Sequence, residues 1–488
     1  MKTTCCVYIP HQSVSRCRAE CEIALLITLE AHSEVSGLSG FRLSLRVEGH
    51  FSRRPAMVLS LLLVFLMSSS LCASLPPPAA GPVLRGGAFV VVWNMPTAKC
   101  QKRYDVQLDL EDFGIVENPK QHFQGEKMTI FYRDRLGKYP YLSRDGREVN
   151  GGIPQLGDLS AHLSLTGSQL SRLLRPSFSG VAVIDWEEWQ PLWENNFDTK
   201  MKYRMLSKLL VRQERPELSE TEVTLLAKQA FEKSARMFME ETLREALRHR
   251  PRGLWGFYGF PYCFNKHKRN SDESYTGRCH SGTRRHNEQL SWLWTQSTAL
   301  FPSIYLPQRL AGSADAALMV RHRLLEALRV ASLWRHSNGT GHASPVLPYA
   351  RLAFTHSLNF LNKTDLEHTL GESAALGAAG VVLWGDLKFA KSEQQCLILK
   401  DYVHNVLGPF VRSLRSDTQS CSIQRCHSNG RCVRKHAACG HSLSPAADAS
   451  SGSDSSKYFH RHFMCQCYAG FTGKDCDEEE EESREEDD

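Results

Sequence analysis

Several common features are missing from this 488-residue sequence. It has no Gly-rich loop of the dinucleotide-binding or phosphate-binding type, so nothing in it points to a nucleotide cofactor. Its cysteines form no Cys-x-x-Cys pair of the kind that zinc modules favour. Its carboxyl end carries no hydrophobic run, so we expect no stable membrane anchor. We therefore expect neither a cofactor nor a metal ion.

The charge of the chain is unevenly distributed. The formal net charge is +6, but Asp477–Asp488 hold ten acids and one arginine. The tail therefore carries −9 and the remaining chain +15. A tail of this composition is typical of a solvated, disordered segment. A basic body suits a polyanionic partner, although the absence of any dense Lys/Arg run is also compatible with a scattered basic surface.

The sixteen cysteines indicate an oxidising compartment, because seven of them crowd into residues 421–476. Their spacing resembles an EGF-like unit that contains a long inserted loop at 436–460. EGF-like pairing predicts three disulfides, which are Cys421–Cys432, Cys426–Cys465 and Cys467–Cys476. Cys439 does not belong to this pattern, and its role stays open between a thiol and a bond to another chain.

The amino-terminal region predicts a secretory leader. A basic Arg53-Arg54 precedes the apolar run Leu59–Met67 and a small-residue zone that ends near Ser74. This apolar run is short for a membrane span. We predict a signal peptide at 57–74, an upstream extension outside the natural protein at 1–56, and a linker at 75–87. The alternative is a genuine amino-terminal region with a weak signal anchor.

From residue 88 onward, short β-rich runs alternate with amphipathic helices, a pattern typical of parallel βα units. Seven such runs predict an α/β fold, a (β/α) barrel over 88–415, followed by the EGF-like module at 416–476 and the acidic tail at 477–488. The predicted strands are Ala88–Asn94, Met128–Tyr132, Gly180–Glu187, Leu254–Phe260, Ser303–Pro307, Pro345–Leu352 and Gly380–Trp384. The clearest predicted helices are Glu220–Arg248, Arg285–Ala299, Ala317–Trp334 and Thr364–Gly377.

The third predicted strand ends in two acids. Side chains alternate along a strand, so Asp185 and Glu187 are expected to point to the same side. Two like charges at that spacing raise the pKa of one carboxyl, which is the setting for a general acid beside a helper carboxylate. The alternative is a strand end with solvated acids.

Polar or aromatic residues also end most of the other predicted strands. In a βα barrel these ends meet on one face, where catalytic groups lie. The mixture suits a sugar ring, because aromatic faces stack on it and carboxyls reach its glycosidic oxygen. The residues at these ends are Asn94, Tyr132, Asp185, Glu187, Tyr258, Tyr305 and Trp384.

Four long motifs, in order, resemble those of the animal hyaluronidases, glycoside hydrolase family 56, and the secreted or lysosomal forms most of all. They are Gly180-Val-Ala-Val-Ile-Asp-Trp-Glu-Glu-Trp189, Arg252-Gly-Leu-Trp-Gly-Phe-Tyr-Gly-Phe-Pro261, Phe301-Pro-Ser-Ile-Tyr-Leu-Pro307 and Gly371-Glu-Ser-Ala-Ala-Leu-Gly-Ala-Ala-Gly-Val-Val-Leu-Trp-Gly385. The resemblance implies an endo-acting hydrolase that cuts β-1,4 bonds of hyaluronan, and chondroitin secondarily. The 56-residue extension has no counterpart in the family.

The resemblance also implies roles for single residues. Glu187 matches the proton donor, and Asp185 matches the carboxylate that orients the substrate's N-acetyl group, whose carbonyl is the nucleophile in a retaining reaction. Tyr258 matches a tyrosine that holds the acetamido group. Tyr132, Tyr305 and Trp384 match aromatic residues of the cleft. Arg323 matches an arginine proposed to meet the substrate carboxylate, although an ordinary helix-surface arginine is the alternative.

Further expectations follow from the resemblance. It implies the disulfides Cys100–Cys396 and Cys263–Cys279. Two sequons, at Asn338 and Asn362, are predicted glycosylation sites. We expect a monomer that is secreted or lysosomal and binds no nucleic acid. Two other functions stay open: a hyaluronan-binding or adhesion protein with little or no turnover, and a chitinase-like glycosidase that uses the same acids.

Overall fold

The computed structural model describes residues 76–265, 275–334, 341–444 and 455–480, and also two short strands nearer the amino terminus. The chain divides into two compact units, Met1–Leu75 and Pro76–Asp488. In the first unit, Thr28–Glu30 pairs antiparallel with Ser44–Arg46. The predicted signal peptide at 57–74, the sequon at Asn338 and tail residues 481–488 lie outside the described residues.

Parallel strands form the centre of the second unit. They are β1 (Val90–Asn94), β2 (Met128–Tyr132), β3 (Val181–Asp185), β4 (Leu254–Phe257), β5 (Tyr349–Arg351) and β6 (Gly380–Trp384). Two three-stranded parallel sheets result, with the orders β2–β3–β4 and β1–β6–β5. The mixed α/β class with parallel strands is therefore as the sequence predicts.

The fifth predicted strand, Ser303–Pro307, is wrong in its bounds. Single parallel bridges at Leu300, Phe301 and Ser303 connect β4 to the segment that enters β5. No longer ladder forms there, because Pro302 and Pro307 lack the N–H group that a ladder requires. Prolines at 345 and 348 shorten the sixth predicted strand to three residues in the same way.

Both faces of the strands are buried, as expected of parallel sheets covered by helices. Val90 and Val92 pack in one apolar cluster with Val181 and Val183. The residues between them, such as Ala182, pack in a second cluster with the helices. Successive side chains thus point to opposite faces, and the first cluster continues into the aromatic residues at the carboxyl ends of the strands.

Helices surround the strands. The helix α4 (Glu220–His249) begins at a capping box in which the Ser219 side chain accepts from the Glu222 N–H and the Glu222 carboxylate accepts from the Ser219 N–H. The predicted helix Arg285–Ala299 is two helices, which meet at Leu290. The described helices are α1 Ala98–Tyr104, α2 Leu159–Leu173, α3 Met201–Glu214, α4 Glu220–His249, α5 Thr283–Gln289, α6 Ser291–Gln296, α7 Ala314–Leu333, α8 Lys363–Leu366, α9 Glu372–Ala375, α10 Glu393–Tyr402, α11 Gly408–Cys426 and α12 Ser455–His462, and π-helical turns at Glu367–Gly371 and Val403–Leu407 join α8 to α9 and α10 to α11.

The carboxyl-terminal part is an antiparallel pair, β7 (Gly430–Arg434) and β8 (Phe463–Cys467), beside α11. α11 runs without interruption across the predicted boundary at 415/416. The segment predicted to be a linker packs against the rest of this unit. Its buried residue Ala79 forms single parallel β-bridges with Ala343 and Tyr468. The structure contains the five expected disulfides, which are Cys100–Cys396, Cys263–Cys279, Cys421–Cys432, Cys426–Cys465 and Cys467–Cys476.

A buried ionic cluster joins β7 to the helices. The Glu372 carboxylate accepts from Arg321 Nε at 2.6 Å and from Arg434 Nη2 at 2.9 Å, and all three residues are buried. Burial opposes ionisation of Glu372, but the two guanidinium groups more than offset it, so its pKa lies below the ordinary value. The predicted module is therefore held to the strand-bearing part by charge as well as by apolar contact.

Replacing Glu372 with Gln should lower the free energy of unfolding by about 3–5 kcal/mol, because two buried guanidinium groups lose their counter-charge. Urea unfolding of the full chain measures this. Since the folded-state pKa is depressed, the loss should be full above the unfolded pKa and shrink as the pH falls below it. The control is Glu288→Gln, which removes a half-exposed ion pair with Arg329. This change should lower the free energy of unfolding by less than about 1 kcal/mol. A loss that small in Glu372→Gln would contradict the prediction.

Candidate active site

Burial of Trp186 orients the two candidate acids. Trp186 is 4% exposed and its ring stacks on Tyr139, with centroids 4.5 Å apart. Asp185 is the last residue of β3 and lies opposite Tyr132 on β2. Because Trp186 points into the helix-facing core, its neighbours Asp185 and Glu187 point the other way. Asp185 is half-buried, and solvent reaches Glu187.

The surroundings raise the pKa of both carboxyls. For Asp185, burial is the largest cause, the charges of Glu187 and Glu188 add to it, and Arg133 partly offsets it. For Glu187, loss of hydration among the surrounding protein groups is again the largest cause, which Lys200 opposes and Glu188 supports. The pKa of Glu187 is thus shifted in the expected direction, mainly by this loss of hydration. One proton is therefore retained by the pair at a higher pH than by a free carboxyl.

One carboxylate oxygen of Asp185, Oδ1, is buried without a hydrogen bond to the described chain. Buried polar atoms are nearly always paired, so such an atom at a cleft is a candidate contact for a ligand. Asn94 at the end of β1 is similar, because its Nδ2 has no partner in the described part of the chain while its Oδ1 accepts from the Tyr349 hydroxyl at 3.3 Å.

The predicted aromatic residues line one wall beside the acids. Trp384 Nε1 donates to the Tyr132 hydroxyl at 3.0 Å. Tyr305 stacks on Trp384, with ring centroids 6.0 Å apart, and its other neighbour is Tyr258 at 5.8 Å. The wall is thus a continuous series of rings, and such surfaces bind the C–H faces of sugars.

Tyr258 connects this wall to the acids. Its hydroxyl donates to Ser303 Oγ at 3.3 Å. Burial, and next the nearby Glu187, raise the pKa of Tyr258 above its ordinary value, and burial raises that of Tyr132 to about 12. Both hydroxyls therefore keep their protons across the physiological range and can serve as donors.

Arg323 lies beside the site rather than among the acids. It is on α7, where its Nε donates to Asn265 Oδ1 at 2.9 Å and its Nη1 to the Ser303 carbonyl at 2.8 Å. In this position it fixes the segment that carries Ser303 and, two residues later, Tyr305.

Four charged residues at the site were missed by the sequence analysis. Arg133 is ion-paired with Glu188, and Lys200 donates to the backbone carbonyl of Glu187. Arg351, at the end of β5, lies over Tyr305 and Trp384. Arg351 could have been found, because it lies inside the predicted strand Pro345–Leu352, but Lys200 ends the short 3-10 turn Asp198–Lys200 before α3, where no sequence pattern marks it.

The other predicted features are reported for the described residues alone. Asn362 is exposed and caps α8 through its Oδ1. No cluster of three or more His, Cys, Asp or Glu there is placed to hold a metal ion. Nor does any helix in that part combine the length and apolar character needed to cross a bilayer.

Comparison with known proteins identifies the family. The family model described as Hyaluronidase, glycoside hydrolase family 56, matches residues 78–480. Human hyaluronidase-3 is 45% identical over 425 residues, which is 87% of this chain and 96% of that protein. Sheep hyaluronidase-2 is 41% identical over 446 residues, 86% of this chain and 91% of that protein.

Solved structures give the same result. Bee venom hyaluronidase is 36% identical with a TM-score of 0.60, covering 66% of this chain and 99% of its own. Its complex with a hyaluronic acid tetramer is 35% identical with a TM-score of 0.61, covering 66% and 98%. With the acids and aromatic rings gathered at the carboxyl ends of parallel strands, these matches lead to one conclusion: the chain belongs to the hyaluronidase family of glycoside hydrolases, family 56.

Proposed function

We propose that this enzyme hydrolyses the β-1,4 bonds of hyaluronan, and secondarily those of chondroitin, with retention of configuration. The observation that carries the proposal is the half-buried Asp185 beside Glu187, both with raised pKa, under a wall of aromatic rings. The hyaluronic acid tetramer bound by the bee venom relative supports the choice of substrate.

In this proposal Glu187 is the acid and then the base. Its carboxyl gives its proton to the glycosidic oxygen as the C1–O bond breaks, and the substrate's acetamido oxygen attacks C1 to form an oxazolinium ring. The Glu187 carboxylate then takes a proton from water, whose oxygen adds to C1 and reopens the ring. Substrate-assisted families of this kind are exceptions to the usual pair of acid and enzyme nucleophile.

Asp185 orients the nucleophile. Its Oδ1, which has no partner in the described chain, is available to accept the acetamido N–H, and the Asp185 charge then stabilises the cationic ring. Tyr258, whose hydroxyl stays protonated, is proposed to hold the acetamido group from the side of Ser303. Tyr132, Tyr305 and Trp384 are proposed to stack on the sugar rings.

The finer architecture is part of the same proposal. We infer that the parallel segments close into a distorted (β/α) barrel, an arrangement supported by contact between β1 and β2 at the two edges. We also infer that residues 416–476 form an EGF-like module, supported by three disulfides within 421–476. The five disulfides of the described residues require an oxidising compartment, which supports secretion or lysosomal delivery, with Asn362 and Asn338 as glycosylation sites.

Glu187→Gln should lower kcat on hyaluronan by about 10²–10⁴-fold or more while leaving binding in place, because the amide cannot donate the proton. Loss of chain length on gels measures cleavage by the purified protein. Asp134→Asn, at an exposed loop acid, is the matched control and should retain activity. If wild type and Glu187→Gln release equal traces of product, the protein binds hyaluronan without hydrolysing it. If neutral chito-oligosaccharides are cut better than hyaluronan, the enzyme is a chitinase-like glycosidase.

Two charge changes should move the pH–rate profile in opposite directions. Glu188 raises the pKa of both acids, so Glu188→Gln should shift the alkaline limb to lower pH. Lys200 lowers the pKa of Glu187, so Lys200→Met should shift the same limb to higher pH. The measurement is kcat/KM against pH. Shifts in the same direction would show that the alkaline limb belongs to another group.

A further inference from the structure

We propose that Arg351 selects a negatively charged sugar chain over a neutral one, and that Asp386 is its resting partner until substrate binds. The inference rests on the proposed function and deepens it, because it concerns the charge of the substrate that the same cleft accepts. The substrate class it predicts is a polysaccharide whose repeating unit carries a carboxylate.

The backbone places Arg351 at the cleft. It is the last residue of β5 and lies opposite Trp384 on β6. It is two residues after Tyr349, which belongs to the inner apolar cluster, so its side chain points to the same inner side. The guanidinium carbon is 5.1 Å from the Trp384 ring centroid and 5.7 Å from that of Tyr305.

Neighbouring residues orient the Arg351 guanidinium, but its Nε–H group has no hydrogen-bond partner in the described chain. The Arg351 side chain is 10% exposed, and this Nε is buried. The ion pair from its Nη2 to Asp386 Oδ2 is 3.8 Å long, which exceeds a hydrogen bond. Asp386 cannot come closer freely, because its Oδ1 accepts from the Lys388 N–H at 2.8 Å and caps the following turn.

Three other cations that the structure describes near the acids already have partners. Arg133 is paired with Glu188, and Lys200 donates to the Glu187 carbonyl. Arg323 uses two of its donor groups on Asn265 and Ser303. Among the described residues, Arg351 is therefore the cation with most to gain from an incoming carboxylate, and it contacts the rings on which the sugars would stack.

Substrate would replace a weak contact with a strong one. A guanidinium that is stacked on aromatic rings offers a planar fork of donors, which matches the geometry of a carboxylate. Asp386 is about one-third exposed, so water can solvate it when Arg351 turns to the substrate. A neutral chain has no carboxylate to replace Asp386. Arg351 therefore stays paired with Asp386 and adds nothing to the affinity for that chain.

The experiment compares two ligands on the full-length protein: a hyaluronan oligosaccharide of fixed length and the same oligosaccharide with its carboxyls reduced to alcohols. Both binding by calorimetry and kcat/KM are measured. Wild type should prefer the anionic chain, and Arg351→Gln should reduce that preference by about tenfold or more, the loss expected for one charge-assisted hydrogen bond. Arg351→Lys, which keeps the charge but not the fork, should retain part of the preference.

Arg323→Gln is the matched control. It should affect both ligands alike and leave their ratio within about twofold, because it acts through the Ser303 segment. An unchanged ratio in Arg351→Gln, a ratio lost in Arg323→Gln instead, or a wild type that binds both ligands equally would overturn the proposal. Wild-type protein that binds but does not cleave would refute the hydrolase function, and the calorimetric ratio would still decide the role of Arg351.

Discussion

The candidate site depends on the burial of one aromatic residue between two acids. Trp186 stacks on Tyr139 and meets Phe257 edge-on at 5.4 Å, which fixes the backbone that leaves β3. Once Trp186 faces the helices, Asp185 and Glu187 must face the cleft. A smaller residue at 186 would leave a cavity in the core and also free the two carboxyls to turn away from each other, so packing and catalysis share this contact.

Burial and the neighbouring charges then set the pKa values of the two acids. Loss of hydration raises the pKa of Asp185 and Glu187, the charge of Glu188 adds to both rises, and Arg133 partly offsets the rise at Asp185. Lys200 limits the rise at Glu187. The pair can therefore retain one proton at a higher pH than a free carboxyl, and in the proposed reaction that proton lies on Glu187 and the negative charge on Asp185. At the same ends of the strands, Arg351 supplies a positive charge that lies over the rings of Tyr305 and Trp384.

Much of this could be predicted from the sequence, because a buried parallel strand is a continuous apolar run and its carboxyl end is marked by the first polar residues. That rule located Asp185, Glu187, Tyr132 and Trp384. It failed at the fifth strand, where Pro302 and Pro307 remove ladder donors that hydrophobicity does not register.

Contacts between segments that are far apart in the chain could not be predicted from the sequence patterns. The pairing of Arg321 and Arg434 with Glu372 joins residues far apart in the chain. The helix α11 crosses the predicted domain boundary, and its carboxyl-terminal part carries Cys421 and Cys426, two cysteines of the EGF-like pattern. Arg323, which the resemblance matches to an arginine proposed to meet the substrate carboxylate, also donates to Asn265 and Ser303, contacts that no sequence pattern indicates.

The central claim is that the substrate's acetamido oxygen, oriented by Asp185, attacks C1 while Glu187 gives the proton. The most direct measurement is kcat for hyaluronan oligosaccharides whose acetamido methyl carries zero, one, two or three fluorines. Each fluorine withdraws electrons from the attacking oxygen, so kcat should fall stepwise along the series. Equal rates across the series would mean that an enzyme carboxylate or water attacks instead, and would contradict the account.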